Sequence, residues 1–307
     1  MNRHARQMIL PEVGAEGQAR LARAYLVIVG AGGLGSPALM YLAGAGIGRL
    51  TVVDPDRVEA TNLHRQPIHA GREGWGKAHS AASFIAALDP RVEVQALPEA
   101  LTPANAPALV AGADLVLDCA DSFAVSYTLS DACLAAGVPL ISASALGLSG
   151  YCGGFCASAP SLRALFPDLP DRAASCATAG ILGPVVGMLG AMQAQMALAV
   201  LLGLAPSPMG QLVTLGPGLR WGGFRFDTAP EPASGLRFIA TSQIAPGDLV
   251  VDLRDEAAQT VTPGALRALP PALPPGRLVI ACRSGLRAWR AAQTLSHPDI
   301  VLLATGD

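Results

Sequence analysis

Lysine is almost missing from this 307-residue chain: of its 21 basic residues, only Lys77 is a lysine and the rest are arginines. Charge as a whole is scarce, at 14% of residues against 51% hydrophobic, and the formal net charge is −2. The lack of a basic excess argues against a nucleic-acid-binding class, whose members carry clustered positive charge. The high apolar fraction excludes a disordered chain, and the length allows one large core or two unequal ones. Residues 1–7 are polar and lack the apolar stretch of a secretory signal. The six cysteines (Cys119, Cys133, Cys152, Cys156, Cys176 and Cys282) show no framework spacing. A disulfide scaffold is therefore not expected, and thiols in a reducing cytoplasm are.

Charge is absent altogether between Arg172 and Arg220. Residues 178–204 are long enough to span a bilayer. The stretch holds Pro184, Gln193 and Gln195, however, and no basic cluster flanks it. A helix buried in a core or a dimer interface is the expectation, with no membrane partner. The rarity of lysine also gives Lys77 weight. A chain that uses arginine for generic positive charge keeps a lysine where a compact point charge on a flexible stem is needed. The ordinary alternative is a chance surface lysine.

Residues 24–29 form a short apolar run ending in glycines, the pattern of a buried parallel strand entering a tight turn. Residues 36–45 read as a helix and 50–53 as the next strand, closing a βαβ unit. Further strands are expected at 92–97, 114–118 and 139–143, with a helix at 126–136. The fold class is therefore α/β: a Rossmann-like, doubly wound, mostly parallel sheet. Residues 227–235 read as a Pro/Gly/Ser-containing linker. They separate a domain at 1–226 from a smaller α/β pattern at 236–307, with strands at 249–253 and 278–281 and a helix at 286–295.

Gly30-Ala31-Gly32-Gly33-Leu34-Gly35 fits G-x-G-x-x-G after a strand and before a helix. Such glycines let the backbone approach a phosphate, and the helix N-terminus offers unpaired N–H groups. Asp54, ending the next strand, sits where an acid grips ribose hydroxyls. This pattern alone does not choose between NAD and ATP. Asn62-Leu63-His64-Arg65-Gln66, Lys77 and Asp118-Cys119-Ala120-Asp121-Ser122 follow. Two cations and a carboxylate at strand ends suit a triphosphate with Mg²⁺, which hydride transfer does not need.

These motifs resemble the ThiF/MoeB/HesA family, bacterial relatives of the ubiquitin-activating enzymes. The resemblance runs from residue 3 to about 226. It is carried by Arg3-His4-Ala5-Arg6-Gln7, Gly30 through Ser36, Asp54-Pro55-Asp56-Arg57-Val58, Asn62 through Gln66, the K-x-x-S-A block at Lys77, and D-x-x-D at Asp118. It implies an ATP site lined by Gly30, Gly32, Gly33, Gly35, Asp54, Asn62, Arg65, Lys77, Asp121 and Ser122, with Asp121 on Mg²⁺. It also implies that Arg6 reaches the phosphates of a partner subunit, hence a homodimer. The implied reaction is adenylation of the C-terminal Gly-Gly carboxylate of a ubiquitin-like sulfur-carrier protein, by positioning and charge screening.

Cys176 matches a family cysteine that in some members joins the carrier through a covalent sulfur intermediate, and it is a candidate nucleophile. The other cysteines before the linker read as core residues. The family's structural zinc needs two C-x-x-C pairs. Their positions here are Ser161 and Ala164, then Ser234 and Arg237. These cannot give tetrahedral zinc its four soft ligands, so zinc is expected to be absent.

Beyond the linker, residues 249–255, Pro263-Gly264-Ala265 and Cys282-Arg283-Ser284-Gly285-Leu286-Arg287 resemble rhodanese elements, including the active-site loop. A cysteine ends a strand, a glycine curls the loop, arginines flank it and a helix begins beneath. That arrangement stabilises a thiolate or persulfide. Cys282 is the candidate persulfide carrier, loaded by a sulfur donor such as a cysteine desulfurase. The expected product is a carrier thiocarboxylate for molybdopterin or thiamine biosynthesis. The competing readings are a catalytically idle scaffold that binds the carrier and an NAD(P)-dependent oxidoreductase.

Overall fold

The computed structural model describes residues 3–169, 179–233, 235–255 and 259–306. The chain begins with two helices, α1 (Ala5–Met8) and α2 (Gly14–Arg23), and then enters β1 (Tyr25–Val29). There follow α3 (Gly35–Ala45), β2 (Arg49–Val53), α4 (Lys77–Leu88), β3 (Glu93–Leu97), α5 (Ala106–Val110), β4 (Leu115–Asp118) and α6 (Phe123–Ala136). After β5 (Leu140–Leu146) and β6 (Ser149–Phe155) come α7 (Leu162–Leu165), α8 (Gly183–Leu202), β7 (Gln211–Gly216) and β8 (Arg220–Arg225). The C-terminal part supplies β9 (Arg237–Phe238), β10 (Leu249–Asp252), β11 (Leu278–Cys282), α9 (Leu286–Gln293) and β12 (Ile300–Ala304).

Eight strands form one sheet in the order β3-β2-β1-β4-β5-β6-β7-β8. The first five are parallel, and β6, β7 and β8 join antiparallel. Strand order reverses between β1 and β4, which opens a crevice at their carboxyl ends where an α/β sheet binds ligands. Alternation along β1 settles the layering. Leu26 and Ile28 join the core beneath α3, α4 and α8, whereas Val27 and Val29 join the core beneath α5 and α6.

The strands β6 to β8 go beyond what the sequence pattern predicts. β6 is SGYCGGF and β8 is RWGGFR, so glycine hides their extended character. The uncharged stretch does form one long helix, α8, which packs on α3, β5 and β6. By length and composition α8 could cross a membrane, but half of its apolar window is buried against the sheet and α3.

The smaller sheet is all parallel, in the order β10-β11-β12-β9. Its inner face does not stand apart from the larger sheet. Ile280, Cys282, Leu286 and Trp289 share one apolar cluster with Val27, Tyr127 and Leu140. Trp289 of α9 meets Tyr127 of α6 edge-on, with ring centroids 5.7 Å apart, and the Arg163 guanidinium lies over the Tyr127 ring at 4.9 Å.

Candidate active site

The glycine turn is built by close approach. Gly30 has φ +96°, and a Cβ there would lie 2.6 Å from the Cys119 carbonyl oxygen after β4. At Gly35 a Cβ would collide with the Gly30 carbonyl oxygen. Both positions therefore need glycine, for conformation and for space. The turn is fixed from outside by Asp54. Its Oδ2 accepts the Ala31 N–H at 2.7 Å and its Oδ1 the Asp56 N–H at 2.9 Å. Burial pushes the Asp54 carboxyl up from its ordinary range; the two N–H groups and the Lys77 charge pull the other way.

Lys77 is not a stray surface residue. Its side chain is 8% exposed, and Nζ lies 2.8 Å from Asp56 Oδ2. It opens α4, which carries no side-chain cap at its N-terminus. Helices α3 and α6 also begin without a side-chain cap, α3 directly from the glycine turn and α6 from Ser122. The Lys77 N–H is given to the Asp56 carbonyl oxygen and the Ser36 N–H to the Gly32 carbonyl oxygen; the other first-turn N–H groups of these helices can serve an anion.

Arg65 donates to Asn62 Oδ1 at 2.7 Å, which fixes the guanidinium within its own loop. This loop touches the turn: a Cβ at Gly32 would lie 3.4 Å from Gln66 Nε2. The N-terminus of α8 closes the other side. A Cβ at Gly183 would lie 2.6 Å from the His64 carbonyl oxygen, and one at Gly33 would lie 3.1 Å from Val186 Cγ2. Asp121 is exposed just before Ser122 and follows the Cys119 and Ala120 backbone that abuts Gly30. The glycine turn, Asp54, Asn62, Arg65, Lys77, Asp121 and Ser122 thus gather at the carboxyl edge of β1, β2 and β4.

One expected residue lies elsewhere. Arg6 is exposed on α1, whose neighbouring Gln7 donates to the Ala45 carbonyl oxygen at 3.0 Å. That carbonyl is at the far end of α3 from the glycine turn, about 16 Å away for an 11-residue helix. Cys176 lies outside the described residues.

Three contributors were not legible as site residues. His69 and Ser80 brace the turn from behind, with His69 Nδ1 2.8 Å from Ser80 Oγ. Gln193 of α8 donates to the Asp118 and Ile141 carbonyl oxygens at 2.7 and 3.3 Å and accepts from the Cys119 thiol. The only signals in the sequence were the K-x-x-S-A block for Ser80 and a glutamine in an uncharged stretch for Gln193.

Cys282 ends β11 and is buried; its Sγ accepts the Ala288 N–H at 3.3 Å. That N–H belongs to the first turn of α9, so the helix N-terminus points at the sulfur. Gly285, at φ +84°, turns the loop, and a Cβ there would lie 2.6 Å from Phe238. Arg287 pairs with Asp255 at 2.9 Å. The other described thiols serve packing: burial pushes Cys156 up to about 12, and Cys119, Cys133 and Cys152 are raised too. Among the described residues, no cluster of three or more His, Cys, Asp or Glu could hold a metal. Ser161 instead gives its N–H and hydroxyl to Glu231 at 2.5 and 2.6 Å and caps α7.

An α/β protein with a glycine turn, an acid at the next strand end and uncapped helix N-termini over one edge is a nucleotide-binding protein of the doubly wound class. The chain belongs to the ThiF family, which it matches over residues 4–221. It is 47% identical over 210 residues to the "Adenylyltransferase and sulfurtransferase UBA4" of Yarrowia lipolytica, a match covering 66% of this chain and 52% of the relative. It is 46% identical over 222 residues to the "Adenylyltransferase and sulfurtransferase MOCS3" of Bos taurus, covering 69% and 48%. To the "SAMP-activating enzyme E1" of Haloferax volcanii it is 42% identical over 205 residues, covering 66% and 76%. The chain thus spans about half the length of the UBA4 and MOCS3 relatives. Escherichia coli MccB with MccA-N7isoASN shares the fold, with a TM-score of 0.66 and 20% identity over 76% of this chain and 74% of MccB.

Proposed function

We propose that this chain adenylates the C-terminal glycine of a ubiquitin-like sulfur-carrier protein with ATP and then transfers sulfur to it. The observation that carries the reading is the gathering of Lys77, Arg65 and three uncapped helix N-termini around a glycine turn whose Ala31 N–H is fixed by Asp54. ATP fits these residues. Gln66 Oε1, an acceptor beside the turn, is buried without a hydrogen-bond partner among the described residues, which suits an N–H or O–H group of the nucleoside. The donors are cationic or amide, as a triphosphate requires.

In this reading Asp54 holds the ribose, Arg65 and Lys77 hold the phosphates, and Asn62 keeps Arg65 oriented. Asp121 would hold Mg²⁺, which neutralises phosphate charge. A carboxylate oxygen of the carrier attacks the α-phosphorus, the bond to the β-phosphate breaks, and pyrophosphate leaves. No side chain needs to form a covalent bond in this step.

The C-terminal loop supplies the second step. The terminal sulfur of a Cys282 persulfide, loaded by a donor such as a cysteine desulfurase, attacks the acyl carbon and AMP leaves. A second thiol then cleaves the resulting acyl disulfide, releasing the thiocarboxylate; Cys176 is the candidate in this chain. Buried in its loop, Cys282 is suited to such a role by the Ala288 N–H, which favours an anionic sulfur.

The same reading makes the protein a cytoplasmic homodimer in which Arg6 serves the partner's phosphates. Ile9 and Leu10, soon after Arg6 in the chain, and Tyr41 of α3 are exposed apolar or aromatic side chains. A groove of about 530 Å³ lies between Gln7, Tyr41, Ala191, Gln195 and Leu198, fit for a second copy. The thiocarboxylate would serve molybdopterin or thiamine biosynthesis.

Intact-mass spectrometry tests the whole sequence. A purified carrier ending in Gly-Gly, incubated with the chain, ATP, Mg²⁺ and a persulfide donor, should exchange one oxygen for sulfur. A carrier that binds the chain yet stays unmodified would favour an idle scaffold.

A further inference from the structure

His69 lies behind the glycine turn, fully buried, with both ring nitrogens engaged. Nε2 is 2.7 Å from the Ala31 carbonyl oxygen and Nδ1 is 2.8 Å from Ser80 Oγ. A carbonyl oxygen can only accept, so Nε2 carries a proton and donates to Ala31, while the serine hydroxyl can donate to Nδ1 of a neutral ring. Burial favours that state by lowering its pKa, and the charges of Lys77 and Arg72 add to the effect.

The partners give the ring its importance. Ala31 is the second residue of the glycine turn, and its N–H is given to Asp54 at 2.7 Å. Ala31 is thus held at both ends, its N–H by Asp54 and its carbonyl by His69. Ser80 stands three residues after Lys77 on α4, on the same helix face. His69 therefore joins the turn to the helix that begins with Lys77. An apolar ring of the same shape would fill the space but leave a buried carbonyl and hydroxyl unpaired.

We infer that His69 is a positioning residue for the ribose end of the nucleotide: it fixes Ala31, and through Ala31 the Asp54 carboxylate, against the helix that carries Lys77. This inference rests on the reading in which Asp54 holds the ribose hydroxyls of ATP.

Calorimetric titration of the full chain with ATP and with 3′-deoxy-ATP tests it. The native chain should prefer ATP. His69→Ala should weaken ATP binding about tenfold, the size expected for a buried hydrogen bond, and change 3′-deoxy-ATP binding little. The preference then collapses. Ser80→Ala should do the same in smaller measure, and His69→Gln, whose amide N–H can still serve Ala31, should restore part of it. Equal weakening for both nucleotides, or an unchanged preference, overturns the role. Should His69→Ala fail to fold, Ser80→Ala and His69→Gln decide by the same criterion. A native chain that binds neither nucleotide defeats the ATP reading itself, whereas a native preference that survives in every variant defeats only the role of His69.

Discussion

Gln193, in the middle of a helix without a single charged residue, donates its side-chain amide to the Asp118 carbonyl oxygen at 2.7 Å. It also reaches Ile141 and accepts from Cys119, so one side chain ties α8 to the end of β4 and the start of β5. Gln193→Leu keeps the volume and removes every one of these bonds. It should lower the unfolding free energy by about 2–4 kcal/mol, the cost of leaving buried carbonyls unpaired. Urea unfolding checks this, and a change below about 0.5 kcal/mol would show that the tie is idle.

Asp118 itself should leave a mark on the pH dependence of stability. Burial raises its carboxyl from 3.8 to about 6, against the opposing hydrogen bonds from Ser126, Ser142 and Ala120. Between those values the folded chain holds the proton that the unfolded chain has released. Stability from this group therefore falls as pH rises through the window, and the penalty is complete above it. The stability of the native chain relative to Asp118→Asn should drop by about 2 kcal/mol from about pH 4 to about pH 6.5. Denaturation curves at a series of pH values measure it; a parallel pair of curves would refute the assignment.

What could be read in the sequence was local, and what could not was pairing at a distance. The glycine turn and Asp54 announce themselves through strand–turn–helix spacing, and Cys282 through its loop. His69 and Gln193 follow no period, and their significance lies in carbonyl groups 38 and 75 residues away. Strands β6 and β8 were hidden by glycine, and β9 by having two residues. The cores told the same story. Periodicity predicts that 278–281 forms a strand, but not that its helix rests on Tyr127.

The thiol loop depends on Gly285. Any side chain there meets Phe238 at 2.6 Å and must adopt φ +84°. Gly285→Ala should cost about 1–3 kcal/mol in local stability and slow sulfur transfer from thiosulfate to cyanide at least about tenfold. Cys282→Ala should abolish that transfer while leaving ATP affinity unchanged. A Gly285→Ala chain with native sulfur transfer would remove the loop from the chemistry.

Around Ser161, one of the positions where the resembling family carries zinc ligands, a carboxylate clip stands in the structure. Glu231 accepts from both the N–H and the hydroxyl of Ser161. Glu231→Ala should lower the melting temperature, by an amount matching about 1–3 kcal/mol for charged hydrogen bonds, and Glu231→Gln by less. A melting temperature that falls on treatment with a zinc chelator would contradict a zinc-independent clip.

Adenylation by this chain depends on Lys77, and isotope exchange between pyrophosphate and ATP tests that most directly. With a carrier ending in Gly-Gly, the native chain should catalyse the exchange. Lys77→Ala should lower it by at least about 100-fold, and Lys77→Arg should not restore it, because the planar guanidinium cannot replace a point charge held 2.8 Å from Asp56. Exchange that is absent in the native chain, or undiminished in Lys77→Ala, would contradict the adenylation chemistry.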